Sequence, residues 1–169
     1  GKKFYGPSTL RTGIEKSRNL MTVRVAQKVG FEKISKITNN FGIYNDIPEL
    51  LSVSLGSAET TLIKLTNAYC SFVNGGKKVK PIFIDRIQDR RGKTIFNADK
   101  RKCEGCDEIS YLKDEIPIIK DNREQIISKE TAYQITSMME GAVQRGTGRK
   151  LKNLNLHLAG KTGTTNKNM

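Results

Sequence analysis

The 169-residue sequence predicts an α/β (α+β) fold, mainly helical with a small antiparallel β component. Three observations carry that prediction. Residues 58–74 and 128–145 each repeat apolar side chains at three- and four-residue steps, the pattern of a helix with one buried face. Residues 81–96 change period around a charged turn, Asp89-Arg90-Arg91-Gly92, as a β-hairpin does. No apolar run approaches the ~18 residues that read as a membrane span, and the length suits one domain with a core of its own.

The elements follow in chain order. Residues 5–13 are a turn-rich entry in which Pro7 fixes a bend and Gly6 supplies freedom before it. Two periods compete between Ile14 and Val29. Met21, Val25 and Val29 fit a helix, whereas Met21, Val23 and Val25 alternate like a strand. The helix, over 15–29, is the reading adopted, with Gly30 as its stop. A short amphipathic helix is expected over 31–40, with Ile34, Ile37 and Phe41 on one face and Gly42 closing it. For the helix over 58–74, Ser57 is the expected N-cap and Glu59 suits the positive helix start. Its stripe is Leu62, Leu65, Tyr69 and Phe72, and Gly75-Gly76 end it. Residues 81–87 then read as a strand and Thr94-Ile95-Phe96 as its return, giving a hairpin near 80–97. Residues 97–123 are polar and charged apart from Ile116-Pro117-Ile118-Ile119, and read as a loop or insertion. Ser128 caps the helix over 128–145. Ala132, Ile135, Met139 and Ala142 form its stripe, and Gly146-Thr147-Gly148 ends it.

Thirty Lys and Arg against 17 Asp and Glu leave a net charge of +13. That excess attracts anionic partners without choosing among them. The basic residues are scattered, with Arg90-Arg91 and Lys100-Arg101-Lys102 the tight groups, and the aromatic residues are not interleaved with them. A nucleic-acid partner is therefore not expected. Cys70 lies on a helical pattern as a small apolar residue. Cys103-Glu104-Gly105-Cys106 is a single C-x-x-C. A structural zinc site would need further ligands, and His157 is the one histidine, so no metal is expected. In an oxidising compartment a local disulfide is the better reading. His157 itself reads as a structural residue beside a strand. No cofactor is expected either. Gly160-Lys161-Thr162 fits the end of a phosphate loop, but the first glycine would fall on Asn155 and the Gly-rich turn is missing.

The stretch from His157 to Thr165, His157-Leu158-Ala159-Gly160-Lys161-Thr162-Gly163-Thr164-Thr165, differs from its surroundings. Apolar Leu158 and Ala159, expected to be buried, lead into a lysine, a glycine and three hydroxyls. In a strand, Lys161, Gly163 and Thr165 would share one face, and Thr162 and Thr164 the other. Glycine inside a strand marks a close approach by a ligand or another backbone. An ammonium can stabilise an anion or activate a neighbouring hydroxyl, and hydroxyls can hold a carboxylate. The plain alternative is a β-prone surface strand with a solvated lysine. A second segment, Glu15-Lys16-Ser17-Arg18-Asn19, sets a serine and an asparagine two apart. Alone, S-x-N reads equally well as a helix cap.

Together, in this order, S-x-N and K-T-G resemble two of the motifs of penicillin-binding proteins and class A β-lactamases. The likeness extends to Tyr5-Gly6-Pro7-Ser8-Thr9-Leu10-Arg11, Ser54-Leu55-Gly56-Ser57-Ala58-Glu59, Asn67-Ala68-Tyr69, Asn74-Gly75-Gly76 and Gln144-Arg145-Gly146-Thr147-Gly148. From about residue 4 onward the sequence resembles the transpeptidase domain of class A (bifunctional) penicillin-binding proteins, 1A type. The resemblance implies the penicillin-binding protein/β-lactamase-like transpeptidase fold. It implies a D,D-transpeptidase that cross-links peptidoglycan stem peptides by serine acyl transfer and is the target of β-lactams. Ser17, Asn19 and Lys161 are the implied catalytic residues. Thr162, Gly163 and Thr164 are the implied binding residues for a D-Ala-D-Ala terminus. A glycosyltransferase domain in the same parent chain and a place at the periplasmic face of the bacterial inner membrane are implied as well.

The family order opens with S-x-x-K. Ser110-Tyr111-Leu112-Lys113 fits it formally, but lies between the other two motifs, in the polar insertion and without an apolar stripe, and reads as coincidence. The expectation is that residues 1–169 are a partial transpeptidase domain, inactive alone. The acylated serine would lie upstream, and the closing strands and helix downstream. Two alternatives stay open. One is a β-lactamase-like hydrolase, although the sequence offers no evident deacylating glutamate. The other is a non-enzymatic basic binding module, which would gather its basic residues on one face.

Overall fold

The computed structural model describes residues 5–101 and 119–163. These form helices α1 (Leu10–Glu15), α2 (Asn19–Val29), α3 (Phe31–Asn40), α4 (Leu62–Val73) and α5 (Lys129–Gln144), with strands β1 (Arg86–Gln88) and β2 (Thr94–Asn97). Two 3-10 turns, Leu51–Leu55 and Arg149–Leu154, complete the order. The expected balance, mainly helical with one small antiparallel sheet, is what forms. The chain divides into two units: residues 1–79 with 125–169, and residues 80–124. No helix among the described residues is long and apolar enough to cross a membrane.

In the first unit α5 is central, with α1, α4 and the 149–154 turn packed against it; α2 packs on α3 and the 51–55 turn. Ser128 starts α5 as expected, its hydroxyl accepting from the Thr131 N–H at 3.2 Å. Ala132, Met139 and Ala142 are buried, together with Gly141 and Val143. Ala26, Phe41, Ile47 and Ala68 extend this core. At the end of α4, Gly75 and Gly76 adopt φ of 77° and 84°, which glycine reaches at little cost. A Cβ on Gly76 would stand 2.8 Å from Ile127 Cγ1. The Gly76 carbonyl accepts from Ile126 N–H at 2.9 Å, tying residues 125–127 to the turn after α4.

Three expectations for this unit need correction. The segment 15–29 is not one helix. It breaks at Lys16–Arg18, because Lys16 and Arg18 amides bond back to Thr12 and Gly13 carbonyls and close α1 early. Ser57 does not cap α4. Thr61 does, accepting from Lys64 N–H at 3.4 Å, while the Ser57 hydroxyl donates to Ser52 Oγ at 3.0 Å and Glu59 precedes the helix. The Leu62–Leu65–Tyr69 stripe is not the buried face: Leu62 is 81% exposed, and Leu65 and Tyr69 are exposed too. Ala68 and Ser71 are buried instead. Their short side chains let the α4 backbone approach its neighbour closely, which a leucine stripe would prevent. Phe72 is half-buried, its ring 5.1 Å from that of Phe41. Cys70 is half-buried and its thiol is free.

The second unit contains the hairpin. Arg86 pairs with Asn97, Ile87 with Phe96 and Gln88 with Thr94, with a register irregularity between Ile87 and Gln88. Asp89 shapes the turn: its Oδ1 accepts from Arg91 and Lys93 amides at 2.8 and 2.9 Å, and Gly92 takes φ of 80°. The strand does not cover the expected 81–87. The ladder ends at the Arg86–Asn97 pair, with one further bond from Ala98 N–H to Asp85 O at 2.8 Å, and residues 81–84 stay outside it. Residues 102–118, and with them Cys103, Cys106, Ser110 and Lys113, lie outside the described residues.

Candidate active site

The site assembles where the turn between α1 and α2 meets the end of α5. The α1 helix finishes at Glu15, and Ser17 N–H and Arg18 N–H bond back to Ile14 and Gly13 carbonyls at 3.1 and 2.9 Å. Ser17 sits at φ 50°, the left-handed region that a residue with a Cβ seldom occupies. Such a conformation costs of order 1–3 kcal/mol and persists only where neighbours enforce it. Here Arg18 supplies part of that restraint. Its guanidinium lies 4.1 Å from the Tyr5 ring centre, and its Nη1 donates to Ser8 Oγ at 2.7 Å.

The rest comes from α5. Arg145 Nη2 donates to Glu15 Oε1 at 2.5 Å, and the Glu15 side chain is only 8% exposed. Arg11 adds a second cation at 3.6 Å. The Arg145 hydrogen bond holds the Glu15 carboxyl below the usual carboxylate range, against the opposing effect of burial. Thr147 N–H donates to Glu15 O at 3.0 Å, and Lys16 Nζ donates to Arg145 O at 2.6 Å. Gly141 and Gly146 make this approach feasible, since a Cβ on either would collide with Glu15.

Residues 157–163 run past this junction. Gly160 N–H donates to Met139 O at 3.2 Å, anchoring the segment to α5. Among the described residues, 157–163 form no strand, so the face assignment that a strand would give does not apply; Gly160 bonds to a helix carbonyl instead. Leu158 is half-buried, whereas Ala159 and His157 are exposed, which corrects the burial expected for Ala159. Lys161 Nζ donates to Ser17 Oγ at 2.7 Å and to Thr162 O at 2.8 Å. Partial burial lowers the Lys161 pKa from its ordinary value. Thr162 Oγ1 lies 2.6 Å from Thr147 Oγ1. Among the described residues, apart from its chain neighbours, nothing lies within 4 Å of where a Cβ on Gly163 would project. Asn19 opens α2, exposed and without a side-chain hydrogen bond among the described residues. Thr164 lies outside the described residues.

Ser17, Lys161 and Thr162 therefore meet, although Ser17 and Lys161 are 144 residues apart. This arrangement has definite chemical capacity. A serine hydroxyl that accepts from an ammonium keeps its own proton for donation elsewhere. A pair of hydroxyls spends one proton on its mutual bond and retains the other, so Thr147 and Thr162 together can still donate to an anion. Sequence reasoning gave Thr147 no role beyond helix termination. Its hydroxyl between two glycines, Gly146 and Gly148, was the available signal. For the Glu15–Arg145 pair there was none, since nothing local relates charges 130 residues apart.

Comparison with known proteins agrees with the geometry. The family described as "Penicillin binding protein transpeptidase domain" matches residues 2–169. "Penicillin-binding protein 1A" of Rickettsia conorii is 48% identical over 168 residues, covering 97% of this chain and 21% of the relative. "Penicillin-binding protein 1A" of Pseudomonas aeruginosa is 34% identical over 194 residues, covering 96% of this chain and 24% of that protein. The chain thus spans less than a quarter of the length of these relatives. The crystal structure of penicillin-binding protein 1A from Haemophilus influenzae superimposes with a TM-score of 0.78 at 29% identity, over 97% of this chain and 27% of the other. A D,D-transpeptidase domain from Eggerthella lenta, 21% identical with a TM-score of 0.69 over 98% of this chain and 44% of that one, shares the fold.

Proposed function

Because the chain belongs to the penicillin-binding protein transpeptidase family, we propose that it forms part of a peptidoglycan D,D-transpeptidase that cross-links stem peptides and is acylated by β-lactams. The observation that carries this reading is the 2.7 Å bond from Lys161 Nζ to Ser17 Oγ, which joins the S-x-N and K-T-G segments at one point.

In the proposed reaction a serine Oγ attacks the carbonyl carbon of the penultimate D-alanine, the C–N bond breaks, and D-alanine leaves with a proton on its nitrogen. The amine of a neighbouring stem peptide then attacks the ester and restores the serine. Ser17 relays the proton to the leaving nitrogen, accepting from Lys161 while donating to the substrate. Lys161 supplies positive charge, and its lowered pKa eases the exchange of that proton. Asn19, at the start of α2 and without a side-chain hydrogen bond among the described residues, hydrogen-bonds the substrate amide. Thr162 and Thr164 hydroxyls hold the terminal carboxylate, and the Thr164 N–H contributes to an oxyanion hole. The open space over Gly163 admits the peptide alongside the backbone. The nucleophile and its lysine are assigned to the parent protein outside these 169 residues. So are the glycosyltransferase partner domain and the anchor at the periplasmic face of the inner membrane.

The test is labelling of the full-length protein with a fluorescent penicillin. Saturable, covalent labelling that slows at least tenfold in Lys161→Ala is the expected outcome. Absence of labelling in the unsubstituted, folded protein overturns the proposal.

A further inference from the structure

We propose that Glu15 and Arg145 act as a clasp that sets the position of Ser17 relative to Lys161 and Thr162, so that both are positioning residues for acyl transfer. The inference rests on the function proposed above and adds residues to which no role has been assigned.

The contacts close a ring. Lys161 Nζ reaches Ser17 Oγ at 2.7 Å. Lys161 adjoins Thr162, whose hydroxyl meets that of Thr147 at 2.6 Å. The Thr147 amide donates to Glu15 O at 3.0 Å, and Glu15 precedes Ser17 by two residues. Both motif segments are therefore referred to one point, the backbone of Glu15 against the end of α5. The side chains lock that point. Arg145 donates to both Glu15 oxygens, from Nη2 at 2.5 Å and Nε at 3.3 Å, a fork that fixes orientation as well as distance. Lys16 returns to Arg145 O from the opposite side of the same turn.

Two features argue that the pair does more than hold the helices together. Glu15 is buried but the Arg145 side chain is open to solvent, and an ion pair exposed on one side contributes little net stability. Packing of α1 on α5 alone could be served by apolar side chains. Gly141 and Gly146 also leave the room that Glu15 occupies; Gly141 is a helix position that α5 gives up for it, and Gly146 lies in the turn beyond the helix end. What the ion pair adds is a fixed register at a turn whose serine holds a left-handed backbone. Small misplacement of reacting groups is expensive in rate.

The experiment measures penicillin acylation of the full-length protein by stopped flow, resolving the pre-acylation Kd from the acylation rate constant, with Tm measured beside each variant. The variants are Glu15→Gln, Arg145→Lys and the double substitution. Arg145→Lys keeps the charge but loses the fork, at a side chain that is 58% exposed. Each single variant is expected to lose about ten- to a hundredfold in the acylation rate constant with Kd within about twofold, and the double variant to be no worse than the worse single. A merely structural pair would lower Tm and leave the rate constant of the folded protein unchanged. That result overturns the inference while leaving the proposed function intact. If Glu15→Gln does not fold, Arg145→Lys carries the test: an unchanged rate constant there overturns the inference equally. Failure of the unsubstituted protein to acylate overturns the function and this inference together.

Discussion

Gly146→Ala tests the junction between α1 and α5 most directly. A Cβ at this position would stand 2.8 Å from both Ala142 Cα and Ala142 O, and closer still to Glu15 O. All three neighbours are backbone atoms, so no rotamer change relieves the overlap. Ordinary contact begins near 3.4 Å, so at least about 0.6 Å of backbone movement is needed on the Ala142 side alone. Overpacking of this kind costs about 1–3 kcal/mol. Movement away from Glu15 also stretches the 3.0 Å bond from Thr147 N–H, worth about 0.5–1.5 kcal/mol more. The expected destabilisation is about 2–4 kcal/mol by urea titration, with the m-value unchanged. Gly160→Ala is the control. Among the described residues nothing lies within 4 Å of its Cβ position, so the change should stay within about 0.5 kcal/mol. A Gly146→Ala loss below about 0.5 kcal/mol would refute the reasoning, because it would mean that α1 does not sit against this turn as closely as described.

Other outcomes follow from the same structure. Ser128→Ala should lower stability by about 1 kcal/mol through loss of the cap on Thr131 N–H, measured by thermal or urea unfolding. Because Arg145 lowers the Glu15 pKa in the fold, the carboxylate's contribution is fully present above the ordinary carboxylate range and is lost as pH falls through the lower folded value. The Tm gap between the native protein and Glu15→Gln should therefore shrink as pH is taken from about 7 to about 3, and a gap that widens would contradict this sign. Protein expressed in the periplasm should titrate one free thiol, Cys70, if Cys103 and Cys106 are joined; three free thiols would refute that pairing. The 169-residue chain alone should give no penicilloyl adduct by mass spectrometry. A stoichiometric adduct lost on Ser110→Ala would assign the nucleophile to Ser110-Tyr111-Leu112-Lys113 instead.

Much of the helical order was legible because it depends on local chemistry. Ser128 and the Ala132–Met139–Ala142 stripe specify α5 within a single segment. Gly30 and Gly42, at φ of 87° and 71°, end their helices as their position suggests. The errors arise where two local solutions compete or where burial is decided elsewhere. Ser57 and Thr61 are both able to cap α4, and Ser57 is engaged by Ser52. Periodicity found an apolar face on α4 but could not tell that Ala68 and Ser71, not Leu62 and Leu65, meet the described core. The apolar, β-branched content of 81–87 is a property of one segment, whereas a strand requires a partner in register, and the ladder ends at the Arg86–Asn97 pair.

The site divides along the same line. Ser17, Asn19, Lys161 and Thr162 stand out in the sequence because their residue types and order are those of two short motifs; the structure brings Ser17, Lys161 and Thr162 into one hydrogen-bonded group and leaves Asn19 outside it. The break in the helix at Ser17 was not fixed by the local pattern, since helical and strand periods compete over 14–29 and S-x-N reads as a helix cap as readily as a site. It is decided by contacts made far away in sequence: Arg145 on the Glu15 side chain, Thr147 on the Glu15 carbonyl and Lys161 on the Ser17 hydroxyl. Without those contacts nothing would offset the cost of a left-handed serine, and continuing α1 into α2 would be the cheaper backbone. A continuous helix would turn Ser17 along with the helical surface and separate it from Lys161. The local strain and the distant ion pair are thus two sides of one arrangement. Relaxing the turn with Ser17→Gly should raise stability while removing the hydroxyl to which Lys161 donates, so the expected combination is a gain in Tm accompanied by slower acylation of the full-length protein.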